Sequence, residues 1–297
     1  MNQEPRQYLF VVNPISGDTD KSQLPNQIKQ SCGQANVRYS IYETQGEEDA
    51  ANIGKEIERL KPEAVIACGG DGTVGLVAGQ LLDNNIALGI IPLGSANGLA
   101  TELSISYSPS AELSWLFSGQ TRQVDVIRIN ESLLCLHLSD MGFNARIIEE
   151  FEKEEVRGML GYARSFFHSL KQKESQQYRI SGKSLPEAIE VSADMIVIAN
   201  ASSYGTGAVI NPGSDLSDGQ LELVIFKPIP PRHWPSITFE TFFGNIHNSE
   251  YVDFLRGSAF EIQCPAGEVL QVDGELIGRQ QTVQARVLPG ALKLLVP

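Results

Sequence analysis

The chain reads as an α/β domain built on a mostly parallel sheet, followed by a second domain of antiparallel β-strands. Over residues 1–126 one unit recurs: an apolar run, a loop of Gly, Asn or Ser, then a helical stretch, the pattern of parallel strands joined by crossover helices. After about residue 127 short apolar runs follow one another with turn residues between them, the texture of an antiparallel domain. A single helical stretch, residues 145–173, interrupts that second pattern and carries Phe151, Met159, Leu160, Tyr162, Phe166 and Phe167.

Taken in order, Tyr8 to Val12 forms the first strand and opens into Asn13-Pro14-Ile15-Ser16-Gly17. Ala64 to Cys68 forms another and opens into a loop at Gly69; Ala87 to Ile91 opens into Pro92-Leu93-Gly94-Ser95-Ala96-Asn97-Gly98. Loops at the carboxyl ends of parallel strands converge on one sheet edge, where ligands of open α/β sheets bind, so these three are expected to meet at one pocket. The alternative is three ordinary strand-to-helix turns. In the second domain the expected strands are Leu133 to Leu138, Met195 to Ala199, Leu221 to Phe226, Ala259 to Gln263, Val269 to Val272, Val283 to Leu288 and Leu292 to Val296. This gives domains of 1–126 and 127–288, with 145–173 as a helical insert in the second.

Composition bounds the function. At 297 residues, 42% hydrophobic and 20% charged, the chain can bury two cores. Cysteines at 32, 68, 135 and 264 show no CxxC spacing, and Cys68 ends an apolar strand, so reduced thiols and a cytoplasmic setting are expected. No run of 18 apolar residues or signal-peptide core is found, so a soluble, unsecreted protein is expected. A net charge of −13 argues against nucleic acid as a partner and makes any membrane contact local. Between Arg157 and Lys183, the bases Arg157, Arg164, Lys171, Lys173, Arg179 and Lys183 face one acid, Glu174, among apolar residues. That stretch is a candidate for transient, peripheral membrane contact; the alternative is a helix packing its aromatics on the β domain. The oligomeric state is left open.

The chemistry concentrates at Ala64 to Gly75, where an apolar strand breaks into glycines around one carboxylate, Asp71, with a hydroxyl at Thr73. Gly69, Gly70 and Gly72 can take backbone angles closed to other residues and wrap N–H groups around phosphate oxygens, with a helix onset expected near Val74. Glycines 70, 72 and 75 also fit a dinucleotide fingerprint, but residues 88–98 hold no carboxylate for a ribose. Asp71 would repel a bare pyrophosphate, which favours a Mg-nucleotide; a glycine turn with a solvated Asp is the bland alternative. Asn211 to Gln220 spaces Asp215 and Asp218 in a turn that could chelate a hard cation or be an Asx turn entering a strand. Asp273-Gly274-Glu275 alone would be a hairpin turn. His137, His168, His233 and His247 show no ligand spacing, and neither a Walker A lysine motif nor a Gly-x-Ser-x-Gly elbow is present.

In order, these pieces resemble the diacylglycerol kinase catalytic-domain superfamily, particularly its soluble bacterial lipid kinases, which is related to sphingosine kinases and distantly to NAD kinases. The matching residues are Asn13-Pro14 with Ser16-Gly17; Gly69-Gly70-Asp71-Gly72-Thr73; Pro92-Leu93-Gly94-Ser95 with Asn97; and Asp125. Further on they are Gly142-Phe143, Gly161-Tyr162, Asn200, Tyr204 to Gly207, Pro212 with Asp215 and Asp218-Gly219, and Asp273-Gly274-Glu275. The resemblance implies an ATP-binding first domain, a β-sandwich second domain with lipid held in the cleft between them, and a C-terminal strand, about 289–297, returning to the first domain. It implies ATP and Mg²⁺ as cofactors and a membrane lipid as substrate. It assigns nucleotide binding to Asn13, Pro14, Ser16, Gly17, Gly69, Gly70, Gly72, Thr73, Gly94, Ser95, Asn97 and Glu275, and a structural Mg²⁺ to Asp215 and Asp218 with Gln220. Asp71 is implied to work with the catalytic Mg²⁺, Asp273 as the base, and Asp125 in the same network.

There are departures: Asn97-Gly98 stands where Asn-Asp is usual, removing one carboxylate, Ser95 replaces Thr, and His137 stands where Asn is frequent. The expected activity is phosphorylation of a lipid hydroxyl, diacylglycerol to phosphatidic acid. The alternatives are another lipid alcohol such as a sphingoid base, a non-catalytic nucleotide- or lipid-binding homologue, and, least favoured, an NAD kinase.

Overall fold

A computed structural model of the chain describes residues 6–17, 20–108, 113–153, 175–205, 207–243 and 245–297. The chain divides into two compact units, Met1–Val124 with Gly290–Pro297 as unit 1, and Asp125–Pro289 as unit 2.

Unit 1 alternates β1 (Gln7–Val12), α1 (Leu24–Gln34), β2 (Arg38–Glu43), α2 (Asp49–Leu60), β3 (Ala64–Gly69), α3 (Asp71–Leu81), β4 (Ala87–Pro92) and α4 (Gly98–Glu102). The four strands are parallel in the order β4-β3-β1-β2. β3 is buried along its whole length and β1 from Tyr8 to Val11, which is why both are unbroken apolar runs rather than alternating ones. β2 is the edge strand, none of its residues fully buried, and its polar RYSIYE sequence escaped recognition for that reason. The helices pack by their spacing: Leu24, Ile28 and Cys32 on α1, Ile53 and Ile57 on α2. Each such Leu or Ile contributes roughly 1.5–3 kcal/mol by burial.

Unit 2 is antiparallel. β5 (Thr121–Ile129) enters it from unit 1, then come β6 (Leu133–Cys135), β7 (Leu138–Gly142), α5 (Phe143–Lys153), β8 (Gln176–Gly182), β9 (Ile189–Ala193), β10 (Met195–Ala199) and β11 (Leu221–Phe226). They are followed by α6 (Trp234–Phe242), β12 (Val252–Gly257), β13 (Ala259–Val272) and β14 (Glu275–Leu295). The strand order is β12-β11-β10-β7-β13-β14, with β8 and then β9 added at β13, and β6 paired to β5. The core gathers Met141, Ile196, Ile198, Leu221, Leu223, Phe260, Ile262 and Leu270 with their neighbours.

Three strand boundaries differ from the sequence reading. The run Leu133 to Leu138 is broken, because the N–H groups of Leu136 and His137 leave the ladder for the Asp273 carboxylate. The two runs within 259–272 are one strand with a register shift between Gln263 and Glu268. The two runs within 283–296 are likewise one strand, β14, whose end, at Leu294, pairs parallel to Leu88 of β4 inside unit 1. Of the expected insert 145–173, α5 covers the start; residues 154–173 lie outside the described residues. So do the bases Arg157, Arg164, Lys171 and Lys173 of the expected membrane stretch, and with them Gly161, Tyr162 and His168. No helix among the described residues is long and apolar enough to cross a membrane.

Candidate functional site

In unit 1 the three loops meet. Asn13 donates from Nδ2 to Thr73 Oγ1 at 3.2 Å and accepts Ile15 N–H at 3.0 Å, while Ser16 Oγ donates to the Asn13 carbonyl. The glycines of the loops touch backbone to backbone. A Cβ on Gly94 would lie 2.5 Å from Gly70 Cα, and one on Gly17 would lie 2.3 Å from the Leu93 carbonyl. A side chain at any of these points would wedge the loops apart.

The reason for the glycines therefore differs from the sequence expectation. Helix α3 starts at Asp71, three residues before Val74, with Gly70 as its N-cap in an extended conformation (φ −89°). Gly69, Gly70 and Gly72 do not take left-handed angles. They supply close approach instead, since a Cβ on Gly69 would strike the Thr73 side chain at 2.3 Å. In the third loop it is Asn97 that turns left-handed (φ 52°), a conformation Asn tolerates, and its side chain closes a ring by accepting Gly94 N–H and donating to the Gly94 carbonyl, each at 2.8 Å. Ser95 and Pro14 are exposed on these loops.

Asp71 sits in the first turn of α3, with the backbone N–H groups of Gly98, Asn97 and Leu99 close enough to favour its charged form. Burial pushes its pKa up from the ordinary carboxylate value, against the opposing pull of those N–H groups. A buried carboxylate penalised for its charge is well suited to a cation beside it, so this position fits a Mg²⁺ carried by a nucleotide. Gly98, where the resemblance leads one to expect Asp, brings only a backbone N–H near Asp71 and adds no second carboxylate. The sequence reading overlooked Lys21, whose Nζ donates to the carbonyls of Pro14, at 3.2 Å, and of Ser16, and so brings a positive charge onto the first loop. No motif marks it; only the fold of the loop brings it there.

In unit 2, Asp273 and Gly274 form the two-residue turn joining β13 to β14, both with positive φ (48° and 89°), the signature of a type I′ hairpin. The Asp273 carboxylate accepts three consecutive N–H groups, Leu136 at 2.7 Å, His137 at 3.0 Å and Leu138 at 3.1 Å. Glu275 follows on the exposed start of β14. Asp125 is buried; its Oδ2 accepts Gly219 N–H at 2.6 Å and its own N–H donates to the Leu216 carbonyl, so it holds the acidic turn. Asn200, also buried, donates to the carbonyls of Asp125 and Leu136, both at 2.9 Å, and so ties that turn to the segment cradling Asp273.

The acidic turn satisfies itself. Asp215 accepts Ser217 N–H and Oγ–H, and Asp218 accepts Gln220 N–H at 2.9 Å and pairs with Arg256, which also holds Glu222 at 3.0 Å. Gln220 thus acts here as a donor, and the positive charge is a guanidinium. No group of three His, Cys, Asp or Glu side chains disposed to hold a metal ion occurs among the described residues. At Asp218, where the expectation was a cation, the positive charge present is that of Arg256.

A further buried carboxylate, Asp140 on β7, carried no sequence signal. Its Oδ2 accepts from Gln271 (2.5 Å), Tyr204 (2.7 Å) and Asn144 (2.7 Å), and its Oδ1 is buried without a side-chain partner among the described residues. Burial raises its pKa, its hydrogen-bond donors opposing.

The family described as the diacylglycerol kinase catalytic domain matches residues 7–129, and the YegS C-terminal NAD kinase beta sandwich-like domain matches residues 139–296. The chain is 30% identical over 266 residues to a Citrobacter koseri protein named "Probable lipid kinase YegS-like", covering 84% of this chain and 83% of that one. It is 27% identical to the "Probable lipid kinase YegS" of Escherichia fergusonii, over 97% and 95% of the two chains. Among solved structures, a diacylglycerol kinase from Bacillus anthracis str. Sterne shares the fold with a TM-score of 0.73 at 18% identity, over 99% and 98% of the chains. A second structure from the same organism reaches a TM-score of 0.80 at 20% identity, with the same coverage.

Proposed function

Because the chain belongs to the diacylglycerol kinase catalytic-domain family of YegS-like lipid kinases, we propose that it transfers the γ-phosphoryl group of ATP to the primary hydroxyl of diacylglycerol, yielding phosphatidic acid and ADP. The observation that carries this reading is the three-loop assembly of unit 1, where glycines 17, 70 and 94 leave no side chain between the loop backbones and Asp71 opens α3 beside them.

In this reading Asn13, Pro14, Ser16, Gly17, Gly69, Gly70, Gly72, Thr73, Gly94, Ser95 and Asn97 form the nucleotide cradle. Lys21 adds positive charge at its first loop, and the amino end of α3 directs its dipole at the phosphates. Bound Mg²⁺ neutralises phosphate charge, and Asp71 is the carboxylate of unit 1 that would hold it.

Phosphoryl transfer passes through a loose transition state, so the acceptor hydroxyl keeps its proton until late and a weak base suffices. Asp273 fits that role. Three N–H groups hold its carboxylate oriented. The lipid oxygen bonds to phosphorus as the bond to the β-phosphate bridging oxygen breaks, and the hydroxyl proton passes to Asp273. Asp125 and Asn200 are positioning residues for that arrangement, and Glu275 is assigned to the nucleotide.

The test offers labelled ATP with dioctanoylglycerol, a monoacylglycerol or sphingosine in mixed micelles and identifies the product. Phosphatidic acid as the main product, lost in Asp71→Asn with the melting temperature retained, supports the reading. Labelling of sphingosine in preference, or of no lipid at all, overturns it.

A further inference from the structure

Asp140 on β7 and Gln271 on β13 face each other in register across the sheet of unit 2, and both are buried. Side chains at such paired positions share a face and interact directly. Gln271 donates from Nε2 to Asp140 Oδ2 at 2.5 Å, and its amide oxygen accepts the Gly274 N–H at 2.7 Å. Its main-chain carbonyl is held as well, by Ser139 Oγ at 2.6 Å. Tyr204 and Asn144 donate to the same Asp140 oxygen, each at 2.7 Å, so three separate segments converge on one carboxylate. A continuous line of hydrogen bonds therefore runs from Asp140 through the Gln271 amide into the turn that carries Asp273.

We propose that Asp140 and Gln271 are positioning residues that fix the Asp273 carboxylate by tethering its turn. The proposal rests on the reading of Asp273 as the base. Asp273 holds a left-handed φ of 48°, which an Asp tolerates without favouring, and such a conformation persists only where its surroundings over-determine it. Both N–H groups of the two-residue turn are committed, that of Asp273 to the Leu138 carbonyl at 3.0 Å and that of Gly274 to Gln271. The first tie joins main chain to main chain. The second depends on a side chain whose direction is set by charge. A carboxylate oxygen that takes three donors presents only an acceptor, so the Gln271 amide must turn Nε2 toward it and its oxygen toward Gly274. The flipped amide would set oxygen against oxygen at one end and N–H against N–H at the other. Asp140 thus decides which end of Gln271 meets the turn. With that tie gone, the turn is free to relax, and the carboxylate loses its alignment with the N–H groups of Leu136, His137 and Leu138.

The test is a double-mutant cycle on kcat with amide exchange beside it. Gln271→Met keeps the volume and removes the amide. It should lower kcat on dioctanoylglycerol about tenfold with KM for ATP unchanged, because a misplacement approaching 1 Å is worth up to about a hundredfold. In an Asp273→Asn background the same substitution should cost nothing further, since the carboxylate it positions is gone. A purely structural role would act alike in both backgrounds. Asp140→Leu should match Gln271→Met, and Asp140→Asn, which keeps an acceptor for the Gln271 amide, should recover most of the loss. In the wild type, the Gly274 amide should exchange on the order of a hundredfold more slowly than a solvated glycine. That measurement needs neither activity nor a folded variant. A wild-type kcat in Gln271→Met, an equal loss in both backgrounds, or an unprotected Gly274 amide overturns the proposal. If the wild type phosphorylates no lipid while Gly274 is protected and Gln271→Met releases it, the kinase reading fails and the tethered turn stands.

Discussion

Gly94→Ala tests whether the three strand-end loops of unit 1 are held by backbone-to-backbone contact. An added Cβ would sit 2.5 Å from Gly70 Cα and 2.9 Å from Asn97 Oδ1. Carbon atoms in contact lie about 3.5–4.0 Å apart, so the third loop must retreat from the glycine turn by about 1 Å. Neither obstacle can yield cheaply. Gly70 Cα is main chain, and Asn97 Oδ1 is committed to the Gly94 N–H. Overpacking of this kind costs about 2 kcal/mol, which lowers the melting temperature by roughly 4–8 °C. A displacement near 1 Å of groups that position a reacting phosphate lowers kcat by about 10²-fold.

The control is Gly75→Ala on α3, where no atom lies within 4 Å of the new methyl group. There the lost freedom of the unfolded chain should raise stability by about 0.5–1 kcal/mol. Calorimetry and single-turnover phosphoryl transfer on both variants make the comparison. A Gly94→Ala protein that melts and reacts like the wild type would refute the packing argument.

Three further outcomes are expected. Asp273→Asn should lower turnover by about 10²-fold or more with ATP affinity unchanged; an ATP affinity that collapses while saturated turnover persists would move Asp273 to the nucleotide. For Asp140, the folded pKa lies above the ordinary 3.8, so its stabilising contribution is complete below that value and is lost as pH rises through the folded pKa. Asp140→Asn keeps an acceptor for Gln271, Tyr204 and Asn144 and has no such proton to lose. Denaturant midpoints should therefore shift in the variant's favour as pH rises above the ordinary 3.8, and a pH-independent gap would refute this. At the acidic turn, chelator should leave wild-type melting unchanged, because Arg256 supplies the positive charge to Asp218 and Glu222. Arg256→Ala should cost about 0.5–1 kcal/mol for this half-exposed pair, and added Mg²⁺ should stabilise the variant more than the wild type. A fall of wild-type melting in chelator would restore a cation to the turn.

The sequence by itself determined the fold class and the positions of the three strand-end loops, because each rests on short-range chemistry. Alternation of apolar runs with helical spacing is enough to write a parallel sheet, and glycines 17, 70 and 94 with Asn13, Thr73 and Asn97 fall at strand ends where such a sheet gathers its loops. What those glycines do was decided only in three dimensions, since their close contacts join loops far apart in the chain. The same holds for the acids. Asp273 takes its three N–H donors from residues 135 to 137 positions away, and those donors break the strand that hydrophobicity alone would have drawn through Leu136. Asp218 meets a guanidinium 38 positions on, so the charge that the turn was expected to find in a cation comes from Arg256. Asp140 gives no local sign of burial, and the phenylalanines of α6 look like any core stripe until the opposite face of that helix is seen to have taken the core. Sequence spacing sets which residues share a helix face or a turn. Which face is buried, and which distant donor reaches a carboxylate, depends on what packs against it, and that is a property of the whole folded chain.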